Sequence, residues 1–168
     1  MSVLQRRAIA AAAILSVVLL GPVSSANAEE PEVEFPPGEF CPGFAVLGSF
    51  TVKGSEKILP GDRFWEHNVG TGIFTNPESG ETFTQRSRYV LVATYDESAN
   101  VFHVTINGRY MVGFLSGDIG PEGPVTEDKT YSVAGHQTFT YDVDTDTLVY
   151  SLDGEVFADV CAVLAGEN

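Results

Sequence analysis

The residues that could do chemistry are few and far apart. Cys41 and Cys161 are the only cysteines in the chain. Neither has a CxxC partner or a histidine close in sequence, as a catalytic or metal-binding thiol would. In an oxidising compartment two such cysteines pair. The bond expected between Cys41 and Cys161 would staple the first ordered residues of a domain to its last element. In the chain-entropy model, closing so long a loop contributes roughly 4–5 kcal/mol.

Three histidines, His67, His103 and His136, could in principle hold a zinc ion. Their spacing matches no ligand motif, so they read as surface or hydrogen-bonded residues. Asp142-Val-Asp144-Thr-Asp146 resembles the start of a calcium loop, with Asp153 at the twelfth position. Thr147 stands where the loop's sharp turn needs glycine, so an acidic hairpin turn is the simpler reading. No Gly-x-Ser-x-Gly nucleophile elbow occurs, and Gly113-Phe-Leu-Ser116-Gly117 has the wrong spacing. With 23 acidic residues, carboxylate pairs are inevitable and nominate no general acid. The glycines punctuate strands rather than open a phosphate-binding helix. These patterns assign no catalytic residue, no metal and no cofactor.

Aromatic residues offer the remaining chemistry. Phe64-Trp65, Tyr89, Tyr95, Tyr110, Tyr131, Tyr141 and Tyr150 lie mostly in strand-like runs. Exposed rings could stack on sugars, and inward ones could line a cavity for an apolar ligand. Core packing is the commoner fate of such rings.

The elements that must position these residues are strands. Tyr89–Tyr95 is β-branched or aromatic at almost every step, and Val101–Ile106, Thr138–Val143 and Leu148–Leu152 alternate apolar with polar residues. That period of two marks half-buried strands. Shorter runs at Lys57–Leu59, Arg63–Glu66 and Thr71–Thr75 read as separate short strands. Asn107-Gly108 and Asp153-Gly154 have the composition of two-residue hairpin turns. Asn76–Gly80 reads as a longer turn, and Gly117–Asp128 as a polar loop. Asp159 could cap a short C-terminal helix, or the last strand could run on to Leu164. About nine or ten strands in so short a chain predict an all-β, antiparallel, barrel-like fold, with a two-sheet sandwich as the alternative.

The N-terminus carries a different signal. Arg6 and Arg7 precede the apolar run Ala8–Leu20, and Ala26-Asn27-Ala28 presents small residues. This is the pattern of a secretory signal peptide over 1–28, cleaved between Ala28 and Glu29. The run is too short to span a membrane, and no later stretch approaches the length needed. Residues 29–40, with repeated Glu and Pro, read as an extended, disordered leader. Residues 41–168 read as a single β domain.

The chain has 168 residues, with 9 Lys+Arg against 23 Asp+Glu and a net charge of −14. Loss of residues 1–28 would remove Arg6 and Arg7 and no acid, taking the charge to 7 − 23 = −16. Such acidity argues against nucleic-acid binding and against docking on anionic lipid. An apolar share of 43% argues against a disordered chain.

Taken together, an early Cys41, Thr75-Asn76 followed by Gly80 and Thr82, Asn107-Gly108-Arg109, Gly135 before Phe139–Asp142, and Asp159-Val-Cys161-Ala-Val-Leu164-Ala165 carry a resemblance. The chain resembles a group of small secreted bacterial proteins of unassigned function. The Asp-Val-Cys-x-x-Leu stretch is the distinctive part. The resemblance supports the disulfide and a single β domain, and it implies no catalytic residue.

The expectation is therefore a secreted, non-catalytic binding protein for a small apolar ligand or a protein partner. The alternatives are a carbohydrate-binding module using surface aromatics, and an enzyme (isomerase or hydrolase) with a site built from separate strands.

Overall fold

The fold was read from a computed structural model, which describes residues 32–61, 63–145 and 147–167. The signal segment, its cleavage point at Ala28–Glu29, and Asp146 lie outside the described residues.

The chain is all-β, built on one nine-stranded sheet. The strands are β1 (Val33–Phe35), β2 (Val46–Leu59), β3 (Arg63–Thr75), β4 (Thr82–Asp96), β5 (Val101–Phe114), β6 (Ile119–Gly120), β7 (Gly123–Pro124), β8 (Lys129–Asp142) and β9 (Thr147–Asp159). A short helix, α1 (Val160–Ala165), follows. Strand order is β1-β2-β3-β4-β5-β8-β9-β6-β7. Every pairing is antiparallel except the single bridge of Ile119 to Val149, where β6 meets β9. The sheet is not closed into a barrel: β1 and β7 are its two ends, and no described pairing joins them.

Several strands are longer than the sequence predicts. Lys57–Leu59 is the end of β2, while Arg63–Glu66 and Thr71–Thr75 are the two ends of β3. Asn107-Gly108 and Asp153-Gly154 are not hairpin turns but lie inside β5 and β9. The reason is register. Gly54, Asn68, Tyr89, Gly108, Gly135 and Gly154 stand opposite one another in a single row across six strands. Gly108 and Gly135 have φ of 127° and 135°, a region closed to most side chains. A Cβ on Gly135 would strike the Asp153 carbonyl and come within 2.7 Å of the Gly154 Cα. Backbone therefore touches backbone along this row, which only glycine permits.

The row is a corner. Phe114 lies level with Lys129 on β8, and Tyr150 lies level with Phe139, ten residues away. In a flat sheet that offset is about 33 Å at ~3.3 Å per residue. Their ring centroids are 5.0 Å apart. The sheet has doubled over, bringing its two halves face to face.

At the same level the pairing of β4 with β5 stops, at Arg88 opposite Arg109. Beyond it, the first part of β4 stays with β3, and the end of β5 stays with β8. The end of β5 and the start of β8 become a middle layer. Thr130, Tyr131, Ser132 and Val133 are buried in succession, so both faces are covered. One face, with Val112, Phe114, Tyr131 and Val133, packs on Leu91, Ile106, Phe139 and Tyr150. The other, through Met111, meets a second cluster around Val46, Phe74, Val160 and Leu164. Ser132 Oγ donates to Gln85 Oε1 across that second contact at 2.7 Å.

The second cluster holds the ends of the domain. Cys41 and Cys161 form a disulfide, with Cα atoms 5.4 Å apart. Order extends upstream of Cys41 into the acidic leader: β1 pairs with β2, and Phe35 and Phe40 pack on this cluster. Their apolar area offsets the cost of ordering a Glu/Pro-rich segment. Asp159 ends β9 and caps α1, its carboxylate accepting from the Ala162 N–H at 3.1 Å. The cap satisfies a donor that the helix start leaves open. Asn76 donates to the Leu164 carbonyl at 3.0 Å, tying the β3–β4 turn to the end of the helix. The Gly117–Asp128 segment carries β6 and β7 and buries Val125.

The corner makes a sharp stability prediction. Gly135→Ala should cost about 3 kcal/mol or more, the range for backbone collisions at positive φ. Gly113→Ala, on β5 with nothing nearer than 3.9 Å to the new Cβ, should change stability by less than about 1 kcal/mol. Urea unfolding midpoints of the two variants check this.

Candidate functional site

The two faces of the doubled sheet differ in chemistry, because residues opposite one another in register share a side. On the outer face β2 presents Lys53 and Lys57, β3 presents Arg63, Trp65 and His67, β4 presents Arg86 and Arg88, and β5 presents His103 and Arg109. Among the described residues the cations are Lys53, Lys57, Arg63, Arg86, Arg88, Arg109 and Lys129, so six of seven stand on this face. The outer positions of these four paired strands hold one acid, Asp96, at the far end of β4. Carboxylates resume outward at the end of β8, at Asp142, and on β9, at Asp153 and Glu155.

Among the described residues none of these six cations is paired with a carboxylate, and the one ion pair is Lys129 with Asp159, at 3.0 Å, off this face. Lys57 Nζ lies 4.4 Å over the Trp65 ring, and the Arg109 guanidinium lies 4.3 Å over the Phe157 ring. Arg109 Nε is buried without a hydrogen-bond partner. Arg63 Nε donates to the Pro60 carbonyl at 3.2 Å.

Outside the glycine corner lies an open concavity of about 330 Å3. His67, Arg88, Val90 and Asn107 line it, with the backbone of Tyr89 and Gly108. Asn107 Oδ1 is held by His136 Nδ1 at 2.8 Å. A second depression, of about 230 Å3, sits beside the disulfide between Phe44, Lys129 and Ala162.

The inner face holds a different polar group. Glu66, 3% exposed, accepts from the Tyr89 hydroxyl at 2.8 Å and from Asn68 Nδ2. Asn68 Nδ2 also donates to the Tyr89 oxygen at 2.9 Å. The Tyr110 ring stands edge-on to Tyr89 with centroids 4.8 Å apart. Gly54, opposite Asn68, leaves the room this amide occupies. Burial pushes the Glu66 carboxyl above its ordinary value, and Glu56 adds to this, while the bonds from Tyr89 and Asn68 pull the other way. Burial likewise pushes the Tyr89 and Tyr110 phenols up. The carboxylate is enclosed, and a ligand would reach it only by opening the sheet.

The residues singled out from the sequence fall as follows. Cys41 and Cys161 are joined. His67, His103 and His136 share the outer face but do not converge: three strand spacings, about 14 Å, separate His67 from His136. No group of three metal-ligating side chains occurs among the described residues. Asp142 makes a turn, its Oδ1 accepting from the N–H groups of Asp144 and Thr145, which lowers its pKa. Asp144 accepts from Asn100 Nδ2 at 2.6 Å. Tyr89, Tyr131 and Tyr150 are core rings, and Tyr95 stacks on Phe102 at 4.6 Å on the surface. No described helix is long and apolar enough to cross a membrane.

Neither the cationic face nor the Glu66 network stood out in the sequence. The face was readable from parity, since Lys53 and Lys57, Arg63 and His67, and Arg86 and Arg88 are each an even number of residues apart. Comparison with protein-family models, curated proteins and solved structures gives no match.

The Glu66 network predicts a pH dependence of defined sign. A carboxyl with a raised folded pKa binds its proton more tightly when folded. Its contribution is fullest at low pH and is lost as pH rises from the unfolded value through the folded one. Glu66→Gln keeps an acceptor for Tyr89 and Asn68 but removes the charge. The variant should match wild type near pH 4 and be the more stable near pH 7. Denaturant titrations at the two pH values read the difference.

Proposed function

We propose that the chain is exported and works outside the cell as a non-catalytic binding protein, with a negatively charged partner protein docking on the outer face of β2–β5. One observation carries this reading: a chain of net charge −14 gathers six cations on one sheet face, and among the described residues none of them is paired with a carboxylate. Unpaired like charges repel and cost stability. A partner bearing the opposite charge offsets that cost, and complementary charge also speeds encounter.

Other features support it. The disulfide fits an oxidising compartment. The sheet is best read as an open, barrel-like scaffold rather than a container, because the space between its halves is filled by Phe114, Tyr131, Phe139 and Tyr150. Trp65, the ring most suited to a sugar, is already covered by Lys57 and flanked by His67.

A fluorescent glutamate oligopeptide and a lysine oligopeptide of equal length serve as defined probes. Fluorescence anisotropy should show the acidic probe binding at about 20 mM salt, despite the protein's own acidity, and releasing at about 300 mM. The double variant Lys53→Glu with Arg86→Glu should weaken it at least about tenfold. Binding of the lysine probe instead, or acidic-probe binding unchanged in the double variant, would overturn the proposal.

A further inference from the structure

The concavity outside the glycine corner is more selective than the face around it. We propose that it is an anchoring site for a phosphate-type dianion, the group by which a ligand is fixed on the cationic face. This rests on the reading of that face as the binding surface and adds the chemistry it recognises.

Positive charge gathers around the concavity. Arg88 lines the concavity, and Lys53 stands in the same cross-strand row, beyond Val69. Two strand spacings, about 10 Å, separate their backbones. Arg86 emerges about 7 Å along the same strand from Arg88. Arg109 is directly opposite Arg88, with its guanidinium turned over Phe157. Arg88 thus lines the depression with three further cations rooted within about 10 Å of its backbone, and the nearest outward carboxylates on that row are on β9, beyond Ala134. That is more charge than a single carboxylate would offset.

Hydrogen-bond donors border the same space. Arg88 offers a planar fork suited to two oxygens of one anion. His67 offers a ring nitrogen. Asn107 is oriented: its Oδ1 is taken by His136 Nδ1, which leaves the Nδ2 hydrogens as its free polar group. Three donors from three neighbouring strands, β3, β4 and β5, therefore border one space. A carboxylate has two oxygens in a plane, whereas a phosphate monoester has three free oxygens in a tetrahedral array.

Position limits the size of the anion. The concavity is formed at the glycine corner, with the backbone of Tyr89 and Gly108 as its floor. The outer acids on β9 begin two strands beyond β5. A compact anion stays within the cationic area, while a long polyanion would run on toward the acidic strand.

The test is a titration of the disulfide-intact protein with inorganic phosphate, at ionic strength held constant with sodium chloride, followed by NMR. Saturable shifts are expected in the His67 imidazole and Asn107 side-chain amide signals. Acetate at equal ionic strength should produce shifts several-fold smaller. Arg88→Gln, an exposed substitution, should weaken the phosphate response at least about tenfold, and Asn107→Ala provides an independent second variant. Phosphate shifts no larger than those with acetate, or unchanged in both variants, would overturn the inference. If the glutamate probe still binds while phosphate does not, only the phosphate site fails. If neither binds, the cationic face itself is not a binding surface.

Discussion

The structure depends on a line of backbone contacts that only glycine allows. Gly54, Gly108, Gly135 and Gly154 stand in one cross-strand row, and at all four a side chain would collide with the neighbouring strand's backbone. A flat sheet of this length would leave one face wet and could bury little. Folding along the row lets the chain use its own sheet as both layers of a core. Side chains add hydrogen bonds at the corner. Gln137, fully buried, sends Nε2 toward the Gly108 carbonyl at 3.5 Å and accepts from Tyr150 at 3.3 Å.

Much else follows from that corner. The end of β5 and the start of β8 become a layer buried on both sides, which explains why Ser132 and Gln85 bond to each other inside the protein. The second core then needs a cover on its far side, and the chain ends supply it. Phe35 and Phe40 from the leader, α1 with its Asp159 cap, and the Cys41–Cys161 bridge close that side together. On the outside of the same corner, the strands spread the concavity lined by His67, Arg88 and Asn107. The bend thus links core, closure and candidate site.

What the sequence revealed and what it hid have physical causes. Strand identity was legible in Tyr89–Tyr95 from its β-branched and aromatic residues, and in Val101–Ile106 and Thr138–Val143 because a half-buried strand must alternate. The disulfide was legible because two cysteines stood alone. The corner was hidden: Asn107-Gly108 looks like a hairpin turn, since a glycine at positive φ serves a turn and a mid-strand bend equally well. Only alignment of Gly108 with Gly135 and Gly154 distinguishes the two, and alignment is a long-range property. Barrel closure was likewise beyond local pattern, because it depends on which strands end as edges. The Val33–Phe35 strand was obscured by its surrounding Glu and Pro. Glu66 was hidden because inward and outward positions are named only once the register is known.

Ring-to-ring proximity tests whether the sheet is doubled on the glycine row. In NMR spectra of the folded protein, aromatic protons of Phe114 and Tyr150 should show strong nuclear Overhauser contacts, as their 5.0 Å centroid separation requires. No contact between these rings, with each showing cross-peaks to its own strand neighbours alone, would mean an extended sheet and would contradict the account.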